Sequence, residues 1–489
     1  MNLLFVNGRV LTMEGYEAEA VAVSGNRIIK VGGNGAVKAL GGMQVDMAGR
    51  VLIPGFIDSH THFCGMGAEE EVLDISDTRS IGEAVELVRE RAQGKEKWVI
   101  GRGWDESRWA EKRYIEKADL EKIRKPVILR REDGHMATLN EAALKHAKAR
   151  KGELDRRKGF IFEDSCDDIY HSLIPQRWNE EGLHAATRKA HTLGVTSVVD
   201  SVGPPHVSAY LKEKAKMRVA LYYFSESFEA LKTLGLRSGF GNERMRFGGI
   251  KLFSDGSLGA HTAYLSKKYE DARTRGILFY RKKELEKIFS DIHGTGMQIM
   301  MHAIGDSAID EVLSSYAKLG EDLSPFRHKI EHLEITNEAQ FETIKKLGII
   351  ASMQPNFLKW AAPGGMYEKR LGAKRLPDNN MYKTIFERGI KIAFGSDGMP
   401  FGPLYGIHQT VNAPFPAQKL TFIQALECYT INGAYASFEE TIKGSIKEGK
   451  LADLVVLSGD PTKTKEIEKI KIDMTVFDGE IVYKREGAW

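Results

Sequence analysis

The chain has 489 residues, too many for one small core, and its 42% apolar content is ordinary for a globular protein. Its 70 basic and 67 acidic residues leave a formal net charge of +3, a near balance that argues against a nucleic-acid or polyanion binder. Three scattered cysteines (Cys64, Cys166, Cys428) form no C-x-x-C pair, which excludes a disulfide framework and fits a reducing compartment.

The opening residues carry no basic segment followed by a long apolar one, and no run approaches the ~18 apolar residues of a membrane helix. A cytoplasmic protein is expected. Residues 1–52 read as short strands broken by Asn7-Gly8 and Gly25-Asn26, both turn signals. Residues 445–489 look alike, with strands around 452–457 and 474–483 and a turn at Asp478-Gly479. The two ends are expected to build one small β-sandwich module, with 53–444 inserted into it, because domain termini usually lie close together.

At residues 51–62 an apolar strand, VLIPGFIDSHTH, ends in two histidines one residue apart. Residues i and i+2 of a strand share a face, so His60 and His62 can converge as half of a metal site. Alone, an H-x-H also occurs on surface strands by accident. Cys64, two residues on, reads as a small packing residue.

From there the pattern alternates. A helix is expected over 80–91 and another over 282–292. Apolar strands recur near 195–200, 218–224, 249–253, 298–302, 329–333, 349–354 and 391–397. With the H-x-H strand they number eight, which predicts an α/β fold, a closed (β/α)8 barrel of the TIM type. Residues 95–175 do not fit the count. They hold a candidate strand at 127–130 and a Trp/Arg-rich stretch (Trp104, Arg108, Trp109), and read as an insertion after the first βα unit. The last residues of strands four, five, six and eight are Lys251, His302, His332 and Asp397. All four belong at the C-terminal rim, where this fold places its chemistry.

This arrangement resembles the amidohydrolase superfamily over nearly the whole chain. PGFIDSHTH (54–62) is similar to its opening motif and GSIKEGKLADLVVL (444–457) to its closing one. GRGWD (101–105), REDGH (131–135), KLFSDGS (251–257) and HAIGD (302–306) resemble the YtcJ-like, or amidohydrolase 3, group, which includes N-substituted formamide deformylase. The resemblance implies one or two divalent metal ions, zinc first among them. His60, His62 and Asp397 would hold a buried ion, and His302 and His332 a second. A lysine ammonium has three donors and no acceptor; the resemblance implies that Lys251 instead serves as a bridging carbamate. An unmodified Lys251 beside a single ion is the alternative. Asp397 is either ligand and general base or a turn former in Ser-Asp-Gly.

The implied reaction is attack by metal-activated water, with Asp397 moving the proton to the leaving nitrogen. The expected substrate is a small molecule with a non-peptide C–N bond, of amide or N-formyl type. A cyclic amidine deaminase, a lactone or ester hydrolase, and a catalytically silent scaffold are the rival readings. Around the centre, Arg131, Asp133 and His135 form either a substrate clamp or an internally paired loop. Asp255 and Asp306 are expected to orient histidines, and Glu163 to bridge metals if Lys251 is unmodified. Trp104 and Trp109 wall a pocket or pack the insertion. His206, His261 and His408 read as structural histidines, with His261 the one suited to substrate contact. Gly101-Arg-Gly lacks the third glycine of a dinucleotide fingerprint. A homodimer is expected only from the prevalence of two-fold assemblies.

Overall fold

The computed structural model describes residues 1–68, 72–173, 180–212 and 216–488. Its centre is one sheet of eight strands, each paired in parallel with the next. In chain order they are β1 (Phe56–Thr61), β2 (Val195–Val202), β3 (Arg218–Phe224), β4 (Met245–Phe253), β5 (Gln298–Ala303), β6 (Lys329–His332), β7 (Ile350–Met353) and β8 (Ile392–Phe394). Every residue of β1, β2, β5, β6, β7 and β8 is buried, as expected of strands covered on both faces. At the rim β8 returns to β1. The Ser396 N–H donates to Asp58 at 2.9 Å, and the Asp397 N–H donates to the His60 carbonyl at 2.9 Å. Gly395 permits that approach, since a Cβ there would lie 2.5 Å from the His60 nitrogen. The eight-stranded, nearly closed barrel matches the α/β expectation.

Helices wrap the outside. Glu338–Leu347 illustrates how the local sequence sets them: Asn337 caps its start, Gln340 completes the capping box, and Gly348 (φ 68°) ends it in the left-handed region. Inside, Val199, Ala220, Tyr222 and Met300 pack together, and the Lys329 ammonium sits 4.1 Å from the Tyr222 ring centre.

Both chain ends meet in one further six-stranded sheet, where Leu454–Leu457 runs antiparallel to Val51–Pro54. A four-stranded sheet of Leu3–Val6, Ala20–Ser24, Arg27–Gly32 and Met43–Asp46 shares its core, through Phe5, Val21, Leu52, Leu454 and Val476. Buried Arg218 of β3 ties this module to the barrel by donating to Asp453 at 2.6 Å and Asp478 at 2.7 Å.

Between β1 and β2 lies an inserted sheet of six strands, from Leu73–Asp74 through Phe160–Phe162. It opens well before residue 95. The helix expected over 80–91 forms as Ile81–Arg91, but its Ile81, Ala84 and Val88 pack against Val99, Trp104 and Val127 of the insertion. Periodicity shows that a helix has an apolar face and not which sheet that face will cover. The helix that fills the barrel position is Glu180–Thr192, whose Leu183, Ala186 and Ala190 join the barrel core. Among the described residues no helix is long and apolar enough to cross a membrane.

Candidate metal centre

His60 and His62 leave β1 on the same side, as the strand period requires. Asp397, just past β8 with φ 52°, turns back toward them, and its Oδ1 lies 3.4 Å from the Nε2 of each histidine. Three ligand atoms of these residues lie within 4.8 Å of one another. His60 is buried, whereas the His62 side chain is 44% exposed. The His332 ring stands 5.3 Å from that of His60, and the His302 ring 4.4 Å from that of His332. His332 reaches inward because its backbone turns left-handed (φ 73°) at the end of β6. His60, His62 and Asp397 therefore converge at the C-terminal rim, with the His332 and His302 rings beside them.

Burial holds His60, His302 and His332 well below the ordinary imidazole range, with Lys251 and neighbouring histidines adding to it. Neutral imidazoles are the form that ligates metal. Burial likewise lowers Lys251 against the pull of Glu331 and Asp397. It raises Asp397 against the pull of Lys251 and His135. Lys251 is 1% exposed, and among the described residues its Nζ has no hydrogen-bond partner although it lies 4.6 Å from the Phe253 ring centre. An isolated buried ammonium is costly. The nitrogen and oxygen donors around it are those that hold a borderline divalent cation, so the residues fit such an ion.

Around this centre the predicted residues separate. Asp255 is fully buried, accepts N–H bonds from Tyr264, Ile304 and Gly305 at 2.8–3.1 Å, and places Oδ1 3.6 Å from His302 Nε2. Burial pushes its carboxyl up to about 7. Asp306 orients no histidine. It accepts from the Ser266 N–H at 2.7 Å and pins the loop after β4. His135, carried by the insertion, faces the His302 ring at 5.4 Å and pairs through Nδ1 with Glu163 at 2.7 Å. Glu163 thus spends Oε2 on His135, its buried Oε1 has no hydrogen-bond partner among the described residues, and it is not part of the His60–His62–Asp397 group.

Arg131 is no substrate clamp. Its side chain is wholly buried and faces Asp133 at 2.8 Å, Glu106 at 2.9 Å and Asp105 at 3.8 Å. Trp104 walls no pocket either: it is 0% exposed, donates to the Leu129 carbonyl at 2.8 Å and stacks on Trp109. His261 spends both ring nitrogens, on Tyr114 at 3.0 Å and Asp271 at 2.9 Å. His206 Nδ1 bonds the Gly203 N–H, and His408 faces Glu468. All three cysteines are free and buried.

Several residues escaped the sequence reading. Glu331 lies 3.6 Å from His60 Nδ1. Its position, one before β6's end and in step with Lys329, was a legible signal that it faces the barrel interior. A small open pocket lies over the centre, lined by His135, His332 and Asp397 and further by Glu334, Phe357, Trp360, Met366, Tyr367 and Met399. Most of these follow β6 and β7, where loops of this fold build sites.

Comparison with known proteins bears on this geometry. Residues 44–483 match the profile described as "Amidohydrolase family". YtcJ of Bacillus subtilis (strain 168) is 30% identical over 536 aligned positions, covering 99% of this chain and all of that protein. N-substituted formamide deformylase of Arthrobacter pascens is 26% identical over 100% of this chain and 99% of its own length. Among solved structures, an uncharacterized metal-dependent hydrolase from Pyrococcus horikoshii OT3 is 28% identical, with TM-score 0.77 over 95% of this chain and 99% of that one.

Proposed function

We propose, from the premise that this chain belongs to the amidohydrolase family, that it is a metal-dependent hydrolase of a non-peptide C–N bond, of amide or N-formyl type, in a small molecule. The observation that carries the reading is the convergence of His60, His62 and Asp397, with one carboxylate oxygen 3.4 Å from both imidazoles. Similarity to an N-substituted formamide deformylase supports the choice of bond. In the same reading the barrel, 53–444, carries the chemistry, and the module of 1–52 with 445–489, taken as a β-sandwich, braces it.

His60, His62 and Asp397 would hold one ion, with His302 and His332 beside a second. Zinc suits this donor set best. A bound divalent ion supplies Lewis acidity and brings the pKa of water toward ~7. Asp397 takes the proton from attacking water and returns it to the departing nitrogen, which cannot leave as an amide anion. In its neutral form, which burial makes more accessible, Lys251 would react with carbon dioxide and release a proton to give a carbamate with two ligand oxygens. The Gly256 carbonyl, 3.2 Å from His302 Nε2, orients that ring, and the buried Asp255 and Glu331 lie 3.6 Å from His302 and His60, where their charge would favour ring N–H groups turned toward them.

The test pairs elemental analysis with a substrate panel. One or two ions per chain, removed by chelation together with activity on N-formyl amines or simple amides, is the expected result. Ammonia release from aminopurines or aminopyrimidines, or turnover of lactones or dipeptides alone, would move the assignment within the family. Metal-free protein with no turnover would favour the scaffold reading.

A further inference from the structure

Two loops of the inserted sheet end where the pocket begins. The parallel strands Val99–Trp104 and Val127–Arg131 stop side by side, and residues just past them, Asp105, Glu106 and Glu132, all reach one segment of the barrel. That segment, 355–371, follows β7 and carries Phe357, Trp360, Met366 and Tyr367 of the pocket wall. Glu132 pairs with Lys359, and Glu106 with Arg370 at 2.7 Å. The third contact falls on a wall residue itself: the Trp360 indole N–H donates to Asp105 Oδ2 at 2.8 Å, and both partners are buried. Asp105 is held in turn, because its Oδ1 accepts the Ser107 N–H at 2.9 Å and Arg131 stands 3.8 Å away. Indole has one donor and no acceptor. With that donor spent on Asp105, Trp360 offers the pocket only hydrocarbon surface. The wall continues inward from it. Phe357 lies 5.2 Å from Trp360, and 7° from parallel to the His332 ring at 5.8 Å.

We propose that the insertion shapes the substrate pocket through Asp105, a positioning residue that holds the Trp360 ring as a wall for a planar group of the substrate. The inference rests on the hydrolase reading above and adds the device that sets its selectivity. A buried indole N–H left without an acceptor is costly, so loss of the Asp105 oxygen forces the ring to turn in search of another. A turned ring no longer lies where a planar group would pack by offset or edge contact. One such contact corresponds to about 3- to 10-fold in affinity. Asp105 lies on the insertion and Trp360 on the barrel, so the two parts of the chain set this wall jointly.

The test uses metal-loaded protein and two formamides, N-benzylformamide and N-methylformamide, of which only the first carries a ring. Kinetics and calorimetric affinity are measured for wild type, Asp105→Leu, Asp105→Asn, Trp360→Phe and the double variant Asp105→Leu/Trp360→Phe. In Asp105→Leu the preference for N-benzylformamide is expected to fall about 3- to 10-fold, through KM more than kcat. Asp105→Asn should restore it, because the amide oxygen accepts the same indole hydrogen. Trp360→Phe, which has no hydrogen to place, should show a similar fall, and Asp105→Leu should add nothing to it. Should Asp105→Leu not fold, Trp360→Phe and Asp105→Asn still decide the matter. Unchanged preference in Trp360→Phe, or additive losses in the double variant, overturns the inference and leaves the hydrolase reading intact. If neither formamide is cleaved, binding of N-benzylformamide that weakens in Trp360→Phe and persists in Asp105→Asn upholds the wall and sinks the proposed reaction instead. Binding that is the same in every variant, without turnover, sinks both.

Discussion

Asp397 carries two demands at one carboxylate. It must approach both imidazoles of β1 closely enough to share an ion with them, and it must also exchange a proton. Asp397→Asn keeps the shape and one oxygen donor but cannot take up the proton of water. Turnover is therefore expected to fall by about 100- to 10,000-fold while bound metal persists, and steady-state rates with elemental analysis on the same sample check both halves. Normal activity in that variant would remove the assigned base. A second residue sets how the molecule responds to acid. His328 is fully buried, its Nδ1 accepts the Ile299 N–H at 3.0 Å, and its ring stacks between Tyr316 and Phe326. Burial lowers this imidazole to about 3, against ~6.5 in an unfolded chain. As pH falls, the unfolded state binds the proton first, so stability present above ~6.5 is lost progressively toward pH 3. From pH 7.5 to pH 5 that loss amounts to about 2 kcal/mol. Urea midpoints of wild type and His328→Phe at those two pH values should show the variant weaker at pH 7.5, having lost an acceptor, yet with a smaller drop on acidification. Identical drops would sink the assignment.

The inserted sheet has apolar clusters of its own and, beside them, a buried charged knot. Arg131, at the end of its strand Val127–Arg131, meets Glu106 and Asp133, and Arg370 from the barrel side meets Glu106. Breaking a buried pair by deleting one partner strands the other charge, at a cost of about 3–5 kcal/mol. Arg131→Met is expected to destabilise by that amount and to open the insertion to proteolysis first. Thermal unfolding and limited digestion would show it, and a variant as stable as wild type would show the knot to be dispensable. This element also marks where the sequence stopped being legible. The barrel strands announce themselves as apolar runs with chemistry-bearing last residues, so the eight strands and the convergence of His60, His62 and Asp397 were readable, while Lys251, His302 and His332 stand as candidates from the same pattern. In the insertion, REDGH offers the same residue types to a clamp and to an internal pair, and only burial decides between them. Trp104 and His261 were ambiguous for the same reason. Glu334 and Trp360 carried no spacing signal, because pocket walls are assembled from loops whose paths the sequence does not encode locally.

At the scale of the whole molecule, the candidate ligands come from β1, β4, β5, β6 and just past β8, five stations around a barrel whose first and last strands meet near Asp397. An ion bound there would bridge segments hundreds of residues apart, and its binding free energy would add to folding stability. At an ion concentration a thousandfold above the dissociation constant the gain is about 4 kcal/mol. The terminal module contributes none of these ligands and has its own core, and the inserted sheet likewise has its own. Removal of metal should therefore act locally as well as lowering the melting temperature. Hydrogen exchange is expected to rise at the C-terminal ends of the ligand-bearing strands and in the loops after β6 and β8, with little change in 1–52 and 445–489. Adding back a divalent ion should restore protection and activity together. Uniform deprotection of the whole chain, or none at the rim, would mean that the cation does not sit where His60, His62 and Asp397 converge.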